Sequence, residues 1–450
     1  VYQHINQKTS AFFTLFFALL ATGVSAAYAE DELLANTEEA WNAKFQSTVV
    51  WQKKNGFNAP YSGPNSLITA PERSYSWTST LFLGFRPWQD GEIYFNPEMA
   101  QGLPLSDLTG LGGLSNGEMA RTSGAKPTIY RARLYLKQTW NLGGGQQYLP
   151  SDQNQLAGYV DKRRFVVTVG NMSVMDTFDD NAYSHDPRTQ FMNWSLMANG
   201  AYDYAADSRG YSWGAVAEYF HDDWAIRAGR FEQPRHPNQL ALDANIFKHY
   251  GDQVEFEQGY QWSGRPGKFR LLGFRNRTVM SKFRDALDAA AINGGVPDIT
   301  KVRYGEQTKY GVGFSMDQAI TDDFGVFAKA SWADGQTETY AFTEIDNAMS
   351  AGFALKGSQW KRPDDTFGLA LMRNGLSSAR QDYLRAGGIS FFIGDGSLNY
   401  HPEQIIETYY SLKATEHLWL TADYQHIQNP AYNADRGPVD LVAFRAHVEY

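Results

Sequence analysis

The 450-residue chain has no cysteine and a formal net charge of −9. These exclude a disulfide framework and a thiolate metal site, and they argue against the basic surface that nucleic-acid binding demands. Its 28 Phe, 26 Tyr, 12 Trp and 41 Gly stand beside a mean hydropathy of −0.46, a mix that suits a barrel wall with aromatic girdles, a polar lumen and polar loops better than a soluble enzyme.

Residues 1–29 have the layout of a secretory signal peptide. Ala11 to Thr22 (AFFTLFFALLAT) forms an apolar run, and Ala27-Tyr28-Ala29 places small residues where a signal peptidase reads, so cleavage is expected before Glu30. The alternative, a membrane-anchor helix, is disfavoured because the run falls well short of the ~20 residues needed to span a bilayer. Cleavage removes Lys8 and no acid, leaving the mature chain one unit more negative. Residues 30–41 are acidic and compatible with a short helix; they are expected to be a periplasmic lead-in or cap. Residues 42–450 are expected to form an outer-membrane barrel.

From there the chain alternates apolar and polar residues in short segments, as strands with two different faces do. In residues 128–140, Tyr130, Ala132, Leu134, Leu136 and Trp140 share one face, and Arg131, Arg133, Tyr135, Lys137 and Thr139 the other. The pattern recurs in residues 309–317, 324–333 and 417–427. At the C-terminal end, Val442, Phe444, Ala446, Val448 and Tyr450 are read as outward, with Ala443, Arg445, His447 and Glu449 inward. Small polar residues opposite an apolar face fit a solvated lumen and would fill a packed core poorly. An outward aromatic at the end fits a strand finishing at a membrane interface.

Sixteen strands are expected, near residues 42–52, 75–86, 91–98, 128–140, 163–170, 211–221, 224–231, 252–262, 267–275, 308–317, 324–334, 336–345, 365–374, 404–414, 417–427 and 439–450, with residues 386–393 as a competing segment. An even count lets a closed barrel pair every backbone group. Short turns such as residues 220–223 alternate with long segments such as 99–127 and 171–210, the two-rim asymmetry of outer-membrane barrels. The fold class is therefore all-β, a transmembrane antiparallel β-barrel with long extracellular loops.

Several runs resemble a known family. They are Met175-Asp176-Thr177-Phe178-Asp179-Asp180-Asn181-Ala182-Tyr183, His185-Asp186-Pro187-Arg188-Thr189-Gln190-Phe191-Met192-Asn193-Trp194 and Asp207-Ser208-Arg209-Gly210-Tyr211-Ser212-Trp213-Gly214. Tyr94-Phe95-Asn96-Pro97-Glu98, His417-Leu418-Trp419-Leu420 and the run from Asn429 to Pro438 (NPAYNADRGP) join them. Together they resemble the carbohydrate-selective porin OprB family over nearly the whole mature chain. The resemblance implies a sixteen-stranded barrel, sugar diffusion through a central constriction, and a loop that folds inward to narrow it. Asp176, Asp179, Asp186, Arg188 and Trp194 are the loop candidates. The plainer reading of Asp186-Pro187-Arg188 is a salt-bridged turn, and the two readings are compatible.

A sugar pore makes and breaks no covalent bonds; it holds a hydrated polyol briefly and releases it. Arg and carboxylate side chains can replace water at sugar hydroxyls, and aromatic faces can stack on a pyranose ring. Arg131, Arg133 and Lys137 on one strand, and Glu92, Tyr94 and Glu98 on another, share lumen parity and are the pore-lining candidates. The bland alternative is that they solvate a wide wall. No catalytic residue, metal ligand or cofactor is expected. The glycine-rich residues 110–117 lack the Lys of a phosphate loop, and Asp179-Asp180 and Asp364-Asp365 lack an EF-hand pattern.

Four functions compete: a channel for neutral sugars; a channel preferring anionic polyols such as sugar acids or cyclic hydroxy acids, motivated by the Arg-rich faces; an outer-membrane enzyme; and an adhesin. Ser184 and His185 are neighbours in sequence, the wrong geometry for a nucleophile and its base. The expected partners are small sugars and outer-membrane lipids, with a homotrimer left open.

Overall fold

Strands with one apolar and one polar face can satisfy their backbone in a membrane only by closing on themselves. The computed structural model describes residues 37–450 apart from Ser123. The expected signal segment and residues 30–36 lie outside the described residues. The strands in chain order are β1 (Trp41–Lys54), β2 (Glu72–Trp88), β3 (Gly91–Leu103), β4 (Thr128–Asn141), β5 (Gln146–Leu149), β6 (Gly158–Asp161), β7 (Arg164–Met172), β8 (Ser212–His221) and β9 (Trp224–Glu232). They continue as β10 (Tyr250–Trp262), β11 (Arg265–Val279), β12 (Glu306–Ala319), β13 (Phe324–Ala333), β14 (Asn347–Gly357), β15 (Arg362–Gly375), β16 (Glu403–Thr415), β17 (Leu418–Gln428) and β18 (Val439–Glu449). All but β5 and β6 form one closed antiparallel barrel, sixteen strands in sequence order, with β1 sealing against β18 from Gln46↔Glu449 to Lys54↔Leu441.

The outer wall is the apolar face. Leu136, Val169, Val254, Leu271, Val312, Leu371 and Phe444 are exposed along it. Trp41, Trp88, Trp140, Trp262 and Tyr450 ring the short-turn rim, and Trp213, Tyr310 and Trp332 lie toward the long-loop rim. This is the aliphatic band between aromatic girdles of an outer-membrane barrel, with short turns periplasmic and long loops extracellular.

Fifteen of the expected strands coincide with observed ones within a few residues. The exception is residues 336–345. The fourteenth strand lies further on, at Asn347–Gly357, and the expected segment runs inside the lumen. Its bulky Tyr340, Phe342 and Ile345 are buried against the inward-folded loops instead of facing lipid. Residues 386–393 are irregular; they follow helix α3 (Ser378–Arg385). The helices before it are the single turn α1 (Trp194–Met197) and α2 (Phe283–Asn293), the latter stopped by Gly294 at φ 76. The described end of the lead-in, residues 37–40, is not helical, and the Glu39 backbone N–H bonds the Ala157 carbonyl below the barrel.

One register shift matters for the site. Pro97 has no N–H for the ladder, so a strand tolerates it only at a bulge or edge. The β3–β4 register slips there: Asn96 faces Arg133 while Pro97 faces Arg131, which leaves Ala132 as the extra residue. Beyond Ala132 the two faces of β4 are exchanged.

Candidate functional site

Residues 173–211 leave the top of β7, descend into the lumen and climb back to β8. Local chemistry shapes the path. Ser173 caps a short turn whose Asp176 bonds back to the Ser173 N–H at 3.0 Å. Asp179 sits in the left-handed region at φ 60 and accepts from the backbone and side chain of Asn199, closing the neck of the loop. Asp186-Pro187 turns the apex, with the Arg188 N–H at 2.9 Å and the Thr189 hydroxyl at 3.1 Å on the Asp186 carboxylate. Asn193 caps α1 through the Ser195 N–H. Gly200 lies so near the wall that a Cβ would sit 2.7 Å from that of Ala348.

The wall holds this loop at many points. Arg188 reaches Glu98 of β3 at 2.9 Å and Glu118, from the loop after β3, at 2.7 Å. Arg445 of β18 donates to the carbonyls of Pro187, Thr189 and Gln190. Glu407 of β16 accepts from the Met192 and Asn193 N–H groups. Lys309 of β12 pairs with Asp203 at 2.8 Å, and Phe191 packs edge-on to Tyr409 at 4.9 Å. Breaking any one buried ion pair leaves a desolvated charge, at about 3–5 kcal/mol.

Electrostatics keeps the apex charged. Burial opposes ionisation of Arg188, but Glu118 and Glu98 outweigh it and its pKa is raised. Burial likewise opposes ionisation of Asp186, yet Arg188 holds its carboxyl below the usual Asp range. Deeper in the loop, burial pushes Asp179 up.

On the opposite wall, cations and carboxylates alternate around the barrel. Arg227 meets Glu218 at 2.9 Å, Glu255 at 3.1 Å and Glu257 at 3.5 Å. Arg270 meets Glu257 at 2.8 Å, Asp317 at 2.7 Å and the loop's Asp180 at 3.4 Å. Lys268 joins through Glu257 at 3.3 Å.

A closed sixteen-strand barrel narrowed by an inward loop carries the sequence runs noted above. The sequence pattern of the carbohydrate-selective porins, OprB family, matches residues 67–450. The chain belongs to that family. No curated protein matches it. Among solved structures it is similar to Pseudomonas putida OprB at high pH, with a TM-score of 0.69 at 15% identity over 91% of this chain and 94% of that one. It is also similar to the outer membrane channel DcaP of Acinetobacter baumannii, with a TM-score of 0.49 at 11% identity over 93% and 100%. The match to the Pseudomonas putida protein, at that identity, speaks for the fold. Family and fold are those of outer-membrane channels; the Ser184 hydroxyl donates to the Leu196 carbonyl at 2.7 Å.

Below the loop apex of this OprB-family barrel, at the periplasmic rim, lies a cavity of about 560 Å³. Tyr183, Thr189 and Gln190 of the apex face Thr366, Ser411, Trp419 and Thr421 of the wall across it. Its charged lining balances: Arg188, Arg265, Lys356 and Arg445 against Asp322, Asp323, Asp364 and Glu449.

The candidates named from sequence divide into four groups. Arg188 and Glu98 meet in the constriction, Asp186 shapes the turn that carries Arg188, and Arg133 holds Asp176 through two bonds of 2.7 and 2.6 Å beside them. Glu92, Tyr94 and Lys137 form a separate cluster near the periplasmic end: Tyr94 donates to Glu92 at 2.8 Å, Lys137 lies 3.5 Å from Glu92, and Tyr94 accepts from the Leu156 N–H of the turn beneath. Asp179 and Trp194 brace the loop from within; Trp194 is buried, stacked on Tyr204 at 6.1 Å and tilted against Phe342 at 5.5 Å. Arg131 is a correction. The Ala132 bulge turns it to the outer wall, over the Trp213 ring at 5.0 Å, and brings Tyr130 inward onto Glu98 in its place.

Glu118, Glu407, Arg227 and Arg270 were not singled out from sequence. Strand parity could have found the last three; Glu118 lies in a loop and gave no signal. The glycine-rich run does make an anion nest, and its occupant is the chain's own Glu403, bonded by the N–H groups of Gly112 and Gly113 at 3.0 and 2.7 Å. Asp365 is taken up by Arg362 and Tyr410.

Proposed function

We propose that this chain passes small neutral carbohydrates from outside the cell to the periplasm by passive, selective diffusion. The observation that carries the proposal is charge compensation. Lumen arginines favour anions only if their charge is free. Here Arg188 and Arg121 are matched by Glu98 and Glu118, and Arg133 by Asp176. On the opposite wall Glu218, Glu255, Glu257 and Asp317, joined by Asp180 of the loop, outnumber Lys268, Arg227 and Arg270. A polyol can exchange water for such paired groups without carrying a charge of its own. The Trp419 ring and the hydroxyls of Thr189, Ser411 and Thr421 add a stacking face and neutral hydrogen-bond partners in the periplasmic cavity.

One observation favours anionic polyols. Arg445 lines that cavity and donates to backbone carbonyls and Thr421, with no carboxylate in ion-pair contact among the described residues. The zero-current potential across a bilayer in a KCl gradient separates the two readings. A value near zero, or weakly cation-selective, supports neutral sugars. Strong anion selectivity supports sugar acids.

A further inference from the structure

The outer wall carries a groove of about 600 Å³ across β12 to β17, within the roughly 300–1,000 Å³ range of small-molecule sites. Two neighbouring ladder rows of outward residues form it. One runs Phe314, Ala330, Met349, Arg373, Gln404, Gln428. The next runs Ala328, Ala351, Leu371, Ile406, His426. Small Ala328, Ala330 and Ala351 form the floor, and Phe314, Leu371 and Ile406 the apolar walls.

The two ends of the groove differ in chemistry and depth. Phe314 lies eight residues below the extracellular start of β12, in the hydrocarbon band, whereas Gln428 is the last residue of β17. The groove thus climbs from aliphatic depth to the extracellular rim, where Arg373, Gln404, His426 and Gln428 gather. Four other cations at that level of the outer wall are engaged, Arg230 and Arg275 by Asp252, Arg277 by Glu306, and Arg131 by the Trp213 ring, whereas exposed Lys53 and Arg73 lie on β1 and β2, away from the groove. Arg373 is exposed, and among the described residues it has no ion pair or hydrogen bond. The nearby carboxylate, Asp440, already accepts from His426 at 2.8 Å and Tyr424 at 2.7 Å.

We infer that this groove binds a phosphorylated, acylated glycolipid of the outer leaflet, with an acyl chain on the alanine floor and a phosphate on Arg373. A cation at headgroup height attracts anionic headgroups, and hydrocarbon is the only filling the apolar half accepts without cost.

Native mass spectrometry of the folded protein in non-ionic detergent, with bisphosphorylated lipid A as probe, tests this. The wild type should retain one lipid. Arg373→Gln should weaken retention about fivefold, the effect of one cation near an anionic headgroup, and removing the phosphates from the probe should weaken the wild type equally. Ala351→Trp, or Ala330→Phe should the first not fold, should abolish retention while sugar permeation persists. Equal retention by all variants would overturn the site. So would self-association lost on filling the groove, which would make it an interface between copies of the chain.

Discussion

Arg188 at the apex of the inward loop and Glu98 on strand β3 lie 2.9 Å apart with both side chains buried. Glu118 completes the clamp at 2.7 Å from Arg188, so one guanidinium fixes the constriction to the wall. Arg188→Gln leaves the buried Glu98 and Glu118 with Arg121 as their remaining cation, at a cost of up to about 3–5 kcal/mol. The loop should undock: single-channel conductance should rise and protease should cut within residues 182–190 of the folded barrel. Wild-type conductance and protection would mean that the other anchors suffice.

The Ala132 bulge makes a paired prediction. Arg133 faces the lumen on Asp176 and Arg131 faces outward on Trp213. Arg133→Ala should move reversal potentials toward cations, whereas Arg131→Ala should leave them unchanged. The reverse result would mean that the bulge is misplaced.

Loop docking should depend on pH in one direction. Although half-buried, Asp186 has a carboxyl held below the usual range by Arg188. A depressed folded pKa gives stability that is fully present above the unfolded value, about 3.9 for Asp, and lost as pH falls through the lowered folded value. Asp179 is raised by burial, so the folded state holds its proton more tightly and acid does not loosen it. The part of the conductance change that runs through Asp186 should therefore appear only below about pH 4. Asp186→Asn should remove part of that acid response. A transition near pH 6 would implicate other groups.

Trp419 offers its half-buried face to the periplasmic cavity. Covering about 40 Å² of ring at about 25 cal/mol/Å² is worth about 1 kcal/mol, or about fivefold in sugar residence time. Trp419→Ala should shorten sugar-induced current blocks by that factor without altering conductance in salt alone. Unchanged block durations would move the sugar contact elsewhere in the channel.

Much of this architecture was legible because a wall between lipid and water enforces strict alternation, as at Tyr310, Val312 and Phe314 against Lys309, Gly311 and Gly313. Parity failed where backbone chemistry breaks the period. Pro97 is visible in its strand, and a bulge opposite it is the natural consequence, whereas strict alternation carries the period straight through Ala132 to Arg131. Tyr340 and Phe342 alternate like a lipid-facing strand, but both are buried inside the lumen, Phe342 against Trp194 of the inward loop and Tyr340 with its hydroxyl donating to the Arg235 carbonyl. The Asp186-Pro187 turn and its Arg188 were readable as local chemistry. What Arg188 meets was not, because Glu98 and Glu118 lie 90 and 70 residues away and only barrel closure brings them together.

The proposed channel selects neutral carbohydrates through a charge-compensated constriction. Liposome swelling with the refolded protein tests it most directly, comparing glucose, a disaccharide, a size-matched amino acid and gluconate. Glucose should enter faster than the amino acid and faster than gluconate. Faster uptake of gluconate than of glucose, or no swelling with any solute, would contradict the account.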